Sequence, residues 1–172
     1  MNTLPIHTEY GTFFARYSSN GLTELRFPDD TATLQISAET PPAWHAWHER
    51  TSNAVSAILK NDAADQLPPF DLSPHTEFRR RVWSILQQIP AGQTLTYSAV
   101  AARLGQPSAS RAVGGACGAN PIPLLIPCHR VLGSNDSLTG FSGGLHWKRR
   151  LLSLEGILLD TKPRQLALVE FA

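Results

Sequence analysis

A chain of 172 residues, 42% hydrophobic and 17% charged, is long enough to bury one large or two small cores. Its formal charge of +1 conceals an asymmetry: residues 1–73 carry 4 Lys/Arg against 9 Asp/Glu, a balance of −5, whereas residues 74–172 carry 11 against 5, a balance of +6. Two cysteines exclude a disulfide framework and a four-ligand cysteine zinc site. The stretch Met1 to Gly11 has neither the basic region nor the apolar run of a signal peptide, and no segment is apolar enough to cross a bilayer, so a cytoplasmic protein with no metal, no cofactor and no membrane partner is expected.

From Thr12 to Tyr17, alternation puts Phe13, Ala15 and Tyr17 on one face, and Ser18-Ser19-Asn20-Gly21 supplies turn residues before Leu22 to Phe27. This predicts a hairpin. Pro41-Pro42 opens a predicted helix in which Trp44, Trp47, Thr51, Val55 and Ile58 follow helical spacing and cover one side of that sheet. His45 and His48 stand three apart, as metal ligands can, but no third ligand is close in sequence and an amphipathic helix accounts for them. Leu67-Pro68-Pro69-Phe70-Asp71-Leu72-Ser73-Pro74 combines prolines with little periodicity and reads as a linker. It divides the chain into a small N-terminal α+β domain, residues 1–73, and a C-terminal domain, residues 74–172.

Beyond the linker, Thr76 caps a predicted helix that turns Phe78, Val82, Ile85, Leu86 and Ile89 inward, with Trp83 adding bulk, and stops before Pro90. Arg79-Arg80-Arg81 at its start either meets phosphates or forms a solvated face. Thr96 caps a second helix with Val100 and Leu104 inward, Gly105 ends it, and a further short helix starts at Ser108. Two short helices around a tight turn make a helix-turn-helix. Between Ala109 and Ala116 the only large polar side chain is Arg111, although each mid-helix glycine costs about 1 kcal/mol relative to alanine. A helix so bare fits either close packing on another helix or close approach to a DNA minor groove.

The next stretch, Asn120-Pro121-Ile122-Pro123-Leu124-Leu125-Ile126-Pro127-Cys128-His129-Arg130-Val131, places a cysteine after an apolar run that prolines stiffen on both sides. A thiol beside His129 and Arg130 has neighbours that favour the nucleophilic thiolate. Cys117, the other cysteine, reads as buried. Glu155 ends the helix from Leu145 to Leu154, where the helix dipole disfavours a carboxylate, so it either finds a cationic partner or is simply exposed before Gly156.

Pro127-Cys128-His129-Arg130-Val131 resembles the acceptor-cysteine motif of the O6-alkylguanine-DNA alkyltransferases. Tyr97, Ser110-Arg111-Ala112-Val113-Gly114-Gly115-Ala116, Asn120-Pro121, Thr139-Gly140-Phe141-Ser142-Gly143-Gly144 and Leu154-Glu155-Gly156 recur in that family's order and spacing, over about residues 76 to 159. The resemblance implies a ribonuclease H-like N-terminal domain followed by a mainly helical, winged helix-turn-helix-like domain. It implies a monomer acting on double-stranded DNA that contains O6-alkylguanine, with O4-alkylthymine as a second candidate. The alkyl group passes irreversibly to Cys128, so each molecule acts once.

In that scheme His129 takes the thiol proton through a water, Glu155 supports His129, and Tyr97 donates to guanine N3. The bare helix, with Ser110, Ala112 and Gly114, lies in the minor groove while Arg111 fills the gap left by a flipped nucleotide. Asn120 ties the turn before the cysteine. The backbones of Cys128 and Val131 read the exocyclic amine, Ser142 faces O6, and Phe141 with Gly143 walls the pocket. Arg130 is counted with the DNA-contacting residues. Phe141 departs from the tyrosine common in the family, which removes a hydroxyl from the pocket. Two other classes compete: a non-catalytic alkyltransferase-like damage-binding protein, which would have another residue at position 128, and a cysteine hydrolase, which would turn over many times. The tail from Thr161 to Ala172 gives no reading.

Overall fold

The computed structural model describes residues 2–28 and 42–159; Pro41, the first proline of the expected helix start, and the tail from Thr161 lie outside them. Three antiparallel strands form the first sheet in the order β1 (Asn2–Thr8), β2 (Gly11–Ser18) and β3 (Gly21–Arg26). The hairpin is β2–β3, closed between Ser18 and Gly21, and Phe13, Ala15 and Tyr17 are fully buried on one face as alternation requires. Strand β1 was not expected from the sequence. It carries Pro5, which cannot donate to a sheet ladder and is tolerated because β1 is an edge strand.

Helix α1 (Pro42–Leu59) packs on this sheet, but its buried residues are Thr51, Ala54, Val55 and Leu59, with Trp44 and Trp47 only partly covered. His48 turns toward the sheet, its Nδ1 3.2 Å from the Tyr17 hydroxyl, while His45 is exposed. Among the described residues no group of three His, Cys, Asp or Glu side chains is placed to hold a metal ion, and no helix is long and apolar enough to cross a membrane.

The proline-rich segment is not a free tether. Leu22 N–H donates to Pro69 O at 2.8 Å and Asp71 N–H to Leu22 O at 2.9 Å, so Phe70 adds a one-residue parallel bridge to β3. The Asp71 carboxylate accepts from the hydroxyls of Ser18 and Ser73, both at 2.6 Å, which locks the segment down. Prolines remove donors, yet the two residues that follow them still reach the exposed edge of a strand.

Helix α2 (Glu77–Leu86) starts at Thr76, whose hydroxyl accepts from Arg79 N–H, and buries Val82, Trp83 and Leu86. The Trp83 indole N–H donates to Ala116 O at 2.9 Å, fastening α2 to α4 (Ser110–Gly118). Strand β4 (Leu95–Thr96) runs directly into α3 (Tyr97–Arg103), which Thr96 caps by accepting from Ala99 N–H. Gly105 at φ +74° ends that helix in the left-handed conformation. A short 3-10 turn, Pro107–Ala109, precedes α4 where the sequence pattern has a helix starting at Ser108.

Strand β5 (Val131–Leu132) pairs in parallel with β4, Leu95 opposite Val131 and Thr96 opposite Leu132. This pairing positions the site: the residue after β4 is Tyr97 and the turn before β5 holds Cys128. Helix α5 (Leu145–Leu154) closes the core through Trp147, against which Phe13 and Phe27 of the first sheet region stack at 5.4 and 4.9 Å between centroids.

Candidate active site

The segment from Ile122 to Val131 is a succession of tight turns, which Pro123, Pro127 and the apolar residues between them dictate. Ile126 N–H reaches back to Ile122 O at 2.9 Å, and Leu124 takes φ +76°, a conformation a leucine adopts only under constraint. Its side chain and those of Leu125 and Ile126 are buried, anchoring the turn in the core. Pro127, at φ −79° and ψ 62°, makes an inverse γ-turn in which Cys128 N–H donates to Ile126 O at 2.8 Å. Cys128 then opens a 3-10 turn, Cys128–Arg130.

Asn120 holds this arrangement. Its Nδ2 donates to Ile126 O at 2.8 Å and to Cys128 Sγ at 3.0 Å, and its Oδ1 accepts from Ile122 N–H at 3.1 Å. Cys128 is 3% exposed, and burial pushes its thiol up to about 11 despite the Asn120 hydrogen bond and the positive charge of Lys148. The adjacent basic residues therefore do not produce a standing thiolate, which corrects the reading drawn from sequence neighbours alone: desolvation outweighs them.

His129 is fully buried, with Nε2 2.8 Å from Glu155 Oε1 and Nδ1 the one buried side-chain polar atom, among the described residues, without a hydrogen-bond partner. Burial holds its pKa below the usual imidazole value although Glu155 pulls it back up. Glu155 sits at the C-terminal end of α5, where the helix dipole opposes it, and it is compensated on all sides. Arg130 donates from Nε to both carboxylate oxygens at 3.0 Å and from Nη2 to Oε1 at 2.8 Å, and Gly92 N–H donates to Oε2 at 3.2 Å. Burial alone would raise this carboxyl, but the His129 and Arg130 hydrogen bonds hold it down at about 2.

Arg130 thus differs from its expected place among DNA contacts. Its Nη1 donates to Ile89 O at 2.6 Å, and only 13% of its side chain is exposed. The guanidinium fork is turned inward and spent on Glu155 and the turn that follows α2. Val131 is buried and its carbonyl accepts from Lys148 Nζ at 2.7 Å. Sequence reasoning missed Lys148, because a lysine on an amphipathic helix reads as solvent-facing. Here it is fully buried, bonded also to Thr139 O at 3.3 Å, and stands 6.0 Å from the centroid of the Tyr97 ring.

Tyr97 is half-buried, its hydroxyl 2.7 Å from Thr139 Oγ1. Together with Gly114, Gly118, Gly140, Phe141 and Ser142 these two residues line an open cavity of about 450 Å³; Cys128 is not itself part of that lining. Gly143 belongs to the same loop, and a Cβ there would collide with the Phe27 ring, so Phe27 from the end of β3 supports the loop from behind.

Helix α4 buries Val113, Ala116 and Cys117 and turns Arg111, Ala112, Gly115 and Gly118 outward, with Ser110 and Gly114 partly covered. The outward residues Arg111, Gly115 and Gly118 follow i, i+4, i+7 and form one stripe. Its glycines are not explained by packing: a Cβ at Gly115 or Gly118 would meet nothing within 4 Å, and one at Gly114 would only touch the Tyr97 ring at 3.9 Å. Of the two accounts of this bare helix, packing on a neighbouring helix is excluded at these positions. Arg79, Arg80 and Arg81 are exposed, Arg81 also donating to Leu104 O at 3.1 Å.

Residues 77–157 match the family model described as 6-O-methylguanine DNA methyltransferase, DNA binding domain. A methylated-DNA–protein-cysteine methyltransferase from Methanosarcina acetivorans is 46% identical over 121 residues, covering 69% of this chain and 77% of that protein. One from Mycolicibacterium paratuberculosis is 42% identical over 139 residues, covering 78% and 79%. Among solved structures, Mycobacterium tuberculosis OGT in complex with DNA superposes with a TM-score of 0.77 at 33% identity, covering 90% of this chain and 92% of that one. With over three quarters of two such relatives covered, and a crystal structure of the same mixed α/β architecture, the chain belongs to the methylated-DNA–protein-cysteine methyltransferase family.

Proposed function

We propose that the protein repairs DNA by direct reversal, moving the alkyl group of O6-alkylguanine in double-stranded DNA onto Cys128 Sγ in a single, irreversible turnover. The observation that carries this reading is the cysteine turn itself: a buried thiol fixed by Asn120, followed at once by a histidine whose far nitrogen is held by a carboxylate. A thiol at about 11 is protonated at neutral pH, so a base must act in the reaction step. His129 is that base, taking the proton at Nδ1 through a bridging water. Glu155, kept anionic by Arg130, stabilises the imidazolium that results. The S–C bond forms as the C–O6 bond breaks, and the electron pair passes into the purine, where Tyr97 donates a hydrogen bond to N3.

The target base is buried in a duplex, so it must be rotated out, at a cost of a few kcal/mol. The stripe of α4 is narrow enough to lie in a minor groove, with Arg111 as the side chain long enough to fill the gap. The cavity behind Gly114 and Gly118 receives the flipped base, between Tyr97 and Phe141. Guanine is selected there by backbone groups of Cys128 and Val131 at the exocyclic amine and of Ser142 at O6. Residues 1–73 are a ribonuclease H-like support domain and residues 74–172 a winged helix-turn-helix-like DNA-binding domain. The protein acts as a cytoplasmic monomer.

Titrating the protein against duplex carrying labelled O6-methylguanine tests the reading. One event per molecule, abolished in Cys128→Ser with duplex binding retained, supports it. Zero events with binding intact would mean a damage-binding protein, and many events a hydrolase.

A further inference from the structure

We propose that Thr139 is a positioning residue for Tyr97: its hydroxyl, 2.7 Å from the Tyr97 hydroxyl, sets the direction of the phenol and then donates to the phenol oxygen while Tyr97 donates to the departing guanine. This inference rests on the role given to Tyr97 above. A phenol has one hydrogen to give. In the free protein that hydrogen, or the threonine's, lies in the Tyr97–Thr139 bond, whose length is typical of a well-formed O–H···O contact. Once a base occupies the cavity, the phenol hydrogen is needed at N3. The bond to Thr139 then survives only if the threonine turns its own hydrogen toward the phenol oxygen, which a freely rotating hydroxyl can do. A donor on that oxygen stabilises the negative charge drawn onto it, and successive bonds in such a chain strengthen one another.

The surroundings agree. Burial raises the Tyr97 pKa and the Thr139 bond opposes that rise, so the threonine already favours charge on the phenol oxygen. Thr139 is itself fixed: its carbonyl accepts from Lys148 Nζ at 3.3 Å, and the same ammonium donates to Val131 O at 2.7 Å, two residues after His129. One buried cation therefore ties the Tyr97 side of the cavity to the turn that carries the sulfur. Thr139 is exposed, so no core packing depends on its hydroxyl.

The test is the single-turnover rate of methyl transfer from an O6-methylguanine duplex for Thr139→Val and Thr139→Ser, each made in the wild type and in Tyr97→Phe. Loss of a hydrogen bond to a developing charge predicts that Thr139→Val reacts about tenfold more slowly. Thr139→Ser should restore the rate, Tyr97 should titrate at higher pH in Thr139→Val by NMR, and neither change should slow Tyr97→Phe further. If Thr139→Val matches the wild type while Tyr97→Phe is slow, the threonine has no part in the step although the reading of Tyr97 stands. Equal slowing in both backgrounds would make Thr139 merely structural. If Tyr97→Phe itself reacts normally, the role of Tyr97 falls and this inference with it.

Discussion

Replacing Glu155 by glutamine removes the charge at the centre of the buried cluster while keeping its shape. The carboxylate accepts hydrogen bonds from His129, Arg130 and Gly92, and its side chain is only 5% exposed. Its carboxyl is held at about 2 instead of 4.5, and at 1.36 kcal/mol per pKa unit this corresponds to about 3 kcal/mol of stability at neutral pH. Stripping one partner from a buried ion pair independently suggests about 3–5 kcal/mol, because the largely buried Arg130 loses its compensating negative charge. In a chain of this size a loss of about 3 kcal/mol lowers Tm by about 6–12 °C. The sign with pH follows. A depressed carboxyl stabilises above its unfolded value, so the wild type should lose this contribution as pH falls from about 4.5 to about 2, and Glu155→Gln should lack that limb. Urea unfolding at a series of pH values reads both effects. A variant within about 1 kcal/mol of the wild type, with an unchanged acid limb, would refute the claim that the cluster is tightly compensated.

Arg111→Ala should slow repair of duplex DNA far more than reaction with free O6-alkylguanine base, since only the duplex needs flipping; equal losses on both would make Arg111 structural. Binding to undamaged duplex should be salt-sensitive, with dissociation constants of about 10⁻⁴ to 10⁻⁶ M at physiological salt, and nearly indifferent to sequence, because the outward face of α4 carries almost no group that distinguishes base edges. Titration of scrambled duplexes at several salt concentrations checks this, and a strong preference for one sequence would point instead to a regulator.

The parts of the fold that were legible in the sequence are those fixed by local chemistry. Thr76 and Thr96 cap their helices through hydroxyls that accept from the third residue onward, and Gly105 supplies the left-handed stop, each a signal contained within a few residues. The alternation of Phe13, Ala15 and Tyr17 marked a sheet face in the same way. The proximity of Cys128, His129 and Glu155 became visible through motif order. What stayed hidden depends on distant partners. Arg130 reads as a DNA contact and Lys148 gives no signal until the fold brings Glu155 to one and two carbonyls to the other. Strand β1 was obscured by Pro5, and the pinning of the proline-rich segment depends on the free edge of β3. The resting state of the thiol was misjudged for a related reason: sequence lists the charged neighbours of Cys128, but burial, which outweighs them, exists only in three dimensions.

The most direct test of the account is the intact mass of the protein after mixing with duplex DNA containing O6-methylguanine, followed by peptide mapping. Each chain should gain one methyl group, the gain should stop at one, and it should reside on Cys128. An unchanged mass with excess substrate, or a methyl group mapped to Cys117, would contradict it.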